Sequence, residues 1–183
     1  VTREPAFAAL NTAMRKDVLA KLSDFPEAYV SFNYTLEQLS YVGASEELMG
    51  VYEVAKDSVD RVLMIELSEA AFSQRGNLDV LRAELKVLGE NGYLIALDDF
   101  GVESSNLNRL LELPIHVVKL DKTLIEGLTT SERVRSIVRG IGSIVRSLNM
   151  KAIVEGVETT QQAEALMDQN LYVHQGYLHA KPM

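Results

Sequence analysis

Asn33 follows the run YVSF, Glu66 follows VLMI, Asp98 and Asp99 follow LIAL, Lys119 and then Asp121 follow VV, and Glu155 and Glu158 follow AIV. Gln175 stands near the C-terminus. An acidic, amide or amine group thus closes almost every short apolar run. If the runs are strands, these groups gather at one rim, where Asn33, Glu66 and Asp98 offer the oxygen donors that Mg²⁺ or Mn²⁺ accepts. Asp99 could extend the site to a second ion, and two metals about 4 Å apart can clamp the attacking and leaving oxygens of a phosphodiester. Beside such a cluster Lys119 could orient water or neutralise phosphate, and Gln175 could hydrogen-bond a base or sugar. Spacing alone leaves those two roles open. Singly, each residue also has an ordinary reading: Asp98 or Asp99 as a helix cap, Asn33 in a turn, Glu66 and Glu69 as strand-end charges. Lys119 with Asp121 reads equally as a local ion pair, and Glu155 with Glu158 as a solvated helix start.

Composition narrows the chemistry. The chain has no cysteine, which excludes disulfides, thiolate zinc sites and a cysteine nucleophile, so any metal must rely on carboxylates, amides or imidazoles. His116, His174 and His179 are expected to be structural, and the methionines core filler. A formal charge of −8 argues against a DNA or RNA polymer as partner, because affinity for a phosphate backbone comes from Lys and Arg. A polyanionic small ligand would need metal ions here. No stretch reaches the roughly 18 consecutive apolar residues of a membrane span, and Val1 to Lys21 lacks a signal peptide's apolar segment. The expectation is a cytoplasmic chain with no membrane contact.

Positioning the rim requires an α/β frame. Continuous apolar runs of this length suit strands of a parallel sheet, buried on both faces. Between them, Val134, Ile137, Val138, Ile141, Ile144, Val145 and Leu148 mark one amphipathic helix. Leu78, Leu81, Leu85 and Leu88 mark another, ended by Gly89 and Gly92. Further helices fit Phe7 to Leu22, Leu36 to Gly50 and Thr160 to Gln169. No linker or repeat divides the chain, so 1–183 reads as a single domain. Regular βα alternation permits a doubly wound sheet or a barrel, both with the ligand at the carboxyl ends of the strands. Neither GxGxxG nor GxxxxGK[ST] occurs, which favours the barrel.

The segments IELSE (65–69), DDFG (98–101), VKLD (118–121), VEGVET (154–159) and QGYLHAKPM (175–183), in this order, closely resemble the motifs of the EAL domain. The resemblance runs from about Tyr29 to Met183, which makes the chain the C-terminal three-quarters of such a domain. It implies a (β/α)₈ TIM-like barrel that hydrolyses cyclic di-GMP to linear pGpG with two Mg²⁺ or Mn²⁺ ions. Position by position, it implies metal-site roles for Asn33, Glu66, Asp98, Asp99 and Glu155. Lys119 matches the lysine at the catalytic water and Glu158 a further acidic residue, so Lys119, Glu155 and Glu158 form the candidate catalytic set. Gln175 matches a substrate-side glutamine and, with Asp121, makes up the candidate substrate-binding pair.

The sequence also departs from the pattern. The Glu-Ala-Leu that names the family, with its metal-binding glutamate, belongs on an early strand, yet the 32 residues before Asn33 contain no such tripeptide. The same letters at Glu164–Leu166 fall in the helix after VEGVET and are a coincidence of composition. About the first two strands are therefore expected to be lacking, which leaves roughly six and an incomplete barrel. A fragment of a longer protein is the preferred account, with a homodimer that covers the opening as the other. After DDFG the family continues Thr-Gly-Tyr-Ser-Ser, whereas here stand Val102, Glu103, Ser104, Ser105 and Asn106. A glutamate in place of glycine resists positive φ and adds negative charge near the metals. Three functions follow: an active phosphodiesterase, a catalytically inactive cyclic di-GMP receptor, or a protein-interaction domain.

Overall fold

The computed structural model describes residues 30–56, 63–68, 78–102 and 107–180. Five parallel strands form one sheet: β1 (Val30–Tyr34), β2 (Leu63–Ser68), β3 (Leu94–Phe100), β4 (Val117–Leu120) and β5 (Lys151–Val154). Their spatial order is their sequence order. A doubly wound sheet needs a reversal of strand order, so this monotonic progression is that of a TIM-like barrel. A parallel bridge between Val154 and His174 stands where a sixth strand is expected. Among the described residues the barrel is thus incomplete, as anticipated.

The five apolar runs are the five strands, but each strand except β5 extends beyond its run, so Asn33, Glu66, Asp98, Asp99 and Lys119 lie within strands. Period-two alternation sorts the side chains into two cores. Leu63, Ile65 and Leu67, Ile95 and Leu97, Val118 and Leu120, and Val154 face the helices and join one large cluster. Met64, Ala96 and Val117 form a second, small cluster with Leu94 and Ile153 against it. Glu66, Asp98, Lys119 and Glu155 follow that second set at steps of two, so the same alternation that fills the barrel interior lifts these groups to its carboxyl rim.

The helices are α1 (Leu36–Leu39), α2 (Ala44–Lys56), α3 (Leu78–Glu90), α4 (Asn108–Glu112), α5 (Lys122–Ile125), α6 (Glu132–Ser147) and α7 (Thr160–Met167). The expected helix Leu36 to Gly50 is broken. Thr35 and Gln38 close a capping box on α1, and Gly43 at φ +96° then turns the chain before α2 starts. Glu84, buried on α3, accepts from the Gly43 and Ser45 amides (3.1 and 2.8 Å) and from the Ser45 hydroxyl (2.6 Å). It caps α2 from another helix, which no local sequence signal could show. Helix α3 runs through Gly89 to Glu90, and α7 stops at Met167 rather than Gln169. The expected helix Phe7 to Leu22 lies outside the described residues.

On α6, Val138 and Val145 are buried with Gly142, while Ile137, Ile144 and Leu148 are exposed. The apolar stripe is therefore wider than the face it buries. Ile144 and Leu148 line a groove of about 320 Å³ with Leu107, Leu110 and Leu111 around α4.

His116 precedes β4, where its Nδ1 accepts the Ile95 amide (3.1 Å), which requires the neutral ring. Burial pushes its pKa down. A base depressed in the folded state contributes stability that is full above its unfolded pKa, about 6.5, and is lost as pH falls through the folded value. His116→Gln is expected to flatten the stability profile between about pH 7 and 5 in urea titrations. In the same assay at neutral pH, Glu84→Ala should cost about 2–3 kcal/mol, because it strands two amides and a buried hydroxyl.

Candidate metal and phosphodiester site

The site is built around Lys119. Its side chain is 6 % exposed on strand β4, and its Nζ lies 3.0 Å from Glu66 Oε2, 2.8 Å from Asp98 Oδ1 and 2.8 Å from Glu155 Oε1. Asp98 comes from the neighbouring strand β3, and Glu155 directly follows β5 on the other side. Glu66 is two strands away, and its in-register neighbour on β3 is Ala96, whose methyl leaves the path open. Burial alone would lower the lysine's pKa, but the bonds to Asp98, Glu155 and Glu66 outweigh it and hold the ammonium protonated.

Adjacent strand residues point to opposite faces, so Asp98 and Asp99 in a regular β3 could not share a site. A bulge resolves this. Leu97 pairs with Val118 and Phe100 with Leu120, so both aspartates stand opposite Lys119 alone. Asp99 adopts φ +57°, a left-handed conformation, and Phe100 returns to the helix-facing core, 2 % exposed. The next residue, Gly101, has φ +105°, and a Cβ there would lie 2.3 Å from the Leu124 side chain, so any other residue would be strained and would displace Leu124. The result is that oxygens of Asp98, Asp99 and Glu155 lie within 4.8 Å of one another.

Burial and the Asp98 and Asp121 charges push the Asp99 carboxyl up, against the Ser68 hydroxyl (3.4 Å) and Lys119. Burial also raises Glu155, partly opposed by Lys119 and reinforced by Asp98 and Glu66. Four carboxylates thus crowd one ammonium. Asp98 Oδ1 is buried, with the Lys119 ammonium at 2.8 Å as its ion-pair partner. A buried anionic oxygen inside an all-oxygen donor set with more carboxylates than ammonium groups fits a hard divalent cation.

The other anticipated residues stand further out. Asn33 is exposed on β1, in register with Glu66 and so on the same face. Asp121 caps α5 by accepting the Thr123 amide (2.8 Å); burial raises its carboxyl, but the Thr123 and Lys122 bonds hold it below the usual range. Glu158 is exposed just before α7, where its backbone amide donates to Gln162 Oε1 (2.9 Å). Gln175 is exposed beyond β5, fixed by its amide to Val154 O (2.8 Å). Glu69 and the altered stretch Glu103–Asn106 lie outside the described residues. His174 Nε2 donates to the Leu171 carbonyl (2.7 Å), a structural contact. Ser68 was missed, although it stands two residues after Glu66 on the same face.

The family profile of the EAL domain matches residues 2–182, and the chain belongs to that family. Among curated relatives, it is 34 % identical to the cyclic di-GMP phosphodiesterase NbdA of Pseudomonas aeruginosa over 121 residues, 66 % of this chain and 15 % of that protein. Among solved structures it resembles the EAL domain of Mycobacterium smegmatis DcpA, with 26 % identity, a TM-score of 0.80, and coverage of 92 % of this chain and 77 % of that one. It also resembles BlrP1 of Klebsiella pneumoniae in complex with calcium and cyclic di-GMP, with 25 % identity, a TM-score of 0.77, and coverage of 91 % of this chain and 42 % of that one. The matches span 15–23 % of the length of the curated relatives. No helix among the described residues is long and apolar enough to cross a membrane.

Asp99→Gly keeps the left-handed turn without its steric cost and removes a repelling carboxylate. Chelator-treated protein carrying it is expected to gain about 1 kcal/mol in urea denaturation, while Asp99→Asn, which tolerates the turn, reports the charge part alone.

Proposed function

We propose that this chain forms the metal- and nucleotide-binding portion of a cyclic di-GMP phosphodiesterase that hydrolyses its substrate to linear pGpG. The observation that carries this reading is the rim itself, with Asp98, Asp99 and Glu155 oxygens within 4.8 Å of one another beside the Lys119 ammonium. Glu66, Asp98, Asp99 and Glu155, with Asn33 at the edge, are the residues that would hold Mg²⁺ or Mn²⁺, two ions in the full site. Bound there, the ions would supply charge neutralisation of the phosphate and activation of water. Lys119 keeps a protonated donor pointed into the carboxylate ring, fixed on three sides, where it orients the attacking water. Glu155, raised by burial, and Glu158 complete the acidic groups of the reaction. Gln175 and Asp121 are the groups that would meet a base or ribose.

The second reading is a receptor that binds cyclic di-GMP without cleaving it. It is favoured by Glu103 where the family has glycine. In either case the protein would act in the cytoplasm. A homodimer is supported by the exposed Ile137, Ile144 and Leu148 beside the groove between α4 and α6.

The deciding measurement is chromatography of cyclic di-GMP incubated with the chain and Mn²⁺, against a chelated control. Linear dinucleotide that appears only with metal is the expected result; bound but uncleaved ligand in both samples would establish the receptor. Asp98→Ala is expected to abolish tight Mn²⁺ binding in calorimetric titration while the fold is retained, and unchanged affinity would remove the metal from this site.

A further inference from the structure

We propose that the Lys119 ammonium is a built-in competitor of the divalent cation, sharing its oxygens and setting its affinity below what the carboxylates alone would give. The inference rests on the reading of this rim as a cation site and adds a determinant of how tightly it binds. Nζ lies within 3.0 Å of one oxygen each from Glu66, Asp98 and Glu155, and these are three of the groups that would ligate the ion. A divalent cation sits about 2.0–2.6 Å from its oxygen ligands, so ion and ammonium share one small volume and repel. The lysine cannot withdraw at little cost, since its side chain is 6 % exposed and its proton is held by all three carboxylates. Without its charge, Glu66, Asp98, Asp99 and Glu155 would face one another unneutralised. Each cation therefore weakens the other by the same factor, as linkage requires.

Calorimetric titration of Mn²⁺ into chelator-treated, desalted protein tests this. Lys119→Met is expected to bind Mn²⁺ on the order of tenfold tighter than the parent, or more. Its metal-free melting temperature should fall, and Mn²⁺ should raise it further than it raises the parent's. Equal or weaker binding by Lys119→Met would overturn the competition while leaving the cation site in place. No Mn²⁺ binding by either protein would overturn the cation reading itself. Should the variant fail to fold, the parent alone decides. Lys86, Lys122 and Lys151 are exposed, so they do not give the slowly exchanging ¹⁵Nζ ammonium signal that the buried Lys119 gives in the chelated protein. A saturable shift of that signal with Mg²⁺ is expected; its absence, or a signal that stays put while Mg²⁺ binds calorimetrically, would overturn the proposal.

Discussion

A lysine buried to 6 % exposure is tolerable only if its charge is matched, and the carboxyl rim of this sheet is arranged around that condition. Lys119 is on β4, Asp98 on β3, Glu155 directly after β5 and Glu66 on β2, so four consecutive strands converge on one nitrogen. Each strand's register fixes how high its polar residue stands. A one-residue slip of any of them would turn its charged group into the helix-facing core and bring an apolar side chain to the rim. The ion pairs and the apolar core therefore specify the same register independently. That agreement between levels lets a charged cluster persist inside a fold of ordinary hydrophobic content.

Crowding more carboxylates than one ammonium can neutralise opposes folding, and the bulge at Asp98–Asp99 increases it by turning a second aspartate inward. Nothing in the apolar packing requires that turn: Phe100 would meet the core as well from a strand one residue shorter. The bulge instead adds a left-handed residue and a carboxylate raised by burial and by the Asp98 and Asp121 charges. Local strain combined with charge repulsion, at the end of a strand where barrel enzymes carry their chemistry, is the physical mark of a site shaped by a ligand.

The sheet was legible because parallel strands buried on both faces leave continuous apolar runs, and all five runs proved to be strands. Their polar successors were legible for the same reason, since a charged residue inside such a run has few places to go. What the sequence concealed was non-local or broke a period. Glu84 caps a helix some forty residues earlier, and Gly43 interrupts an apolar pattern that otherwise suits one helix. The bulge did leave a trace: in LIALDDF the helix-facing residues Ile95, Leu97 and Phe100 step by two and then by three. Ser68 was available from the period of β2 and Asp121's cap from its place before α5, whereas the exposure of Gln175 and Glu158 depends on loops with no period to follow.

The electrostatics of the rim order the events that any nucleotide partner must follow. Glu66, Asp98, Asp99 and Glu155 exceed Lys119 in formal charge, and the chain as a whole carries −8. A phosphodiester approaching this surface meets repulsion both at long range and at contact, and a single buried ammonium already engaged with three carboxylates has little attraction left to offer. A cation ligated by Asp98 would reverse the local sign and give the phosphate a partner. Binding of an anionic ligand at the rim would thereby be tied to the cation. A receptor that held cyclic di-GMP without metal would have to grip it through the base and ribose, at groups such as Gln175 that stand outside the ring. The choice between hydrolase and receptor is thus a choice between two distances from Lys119.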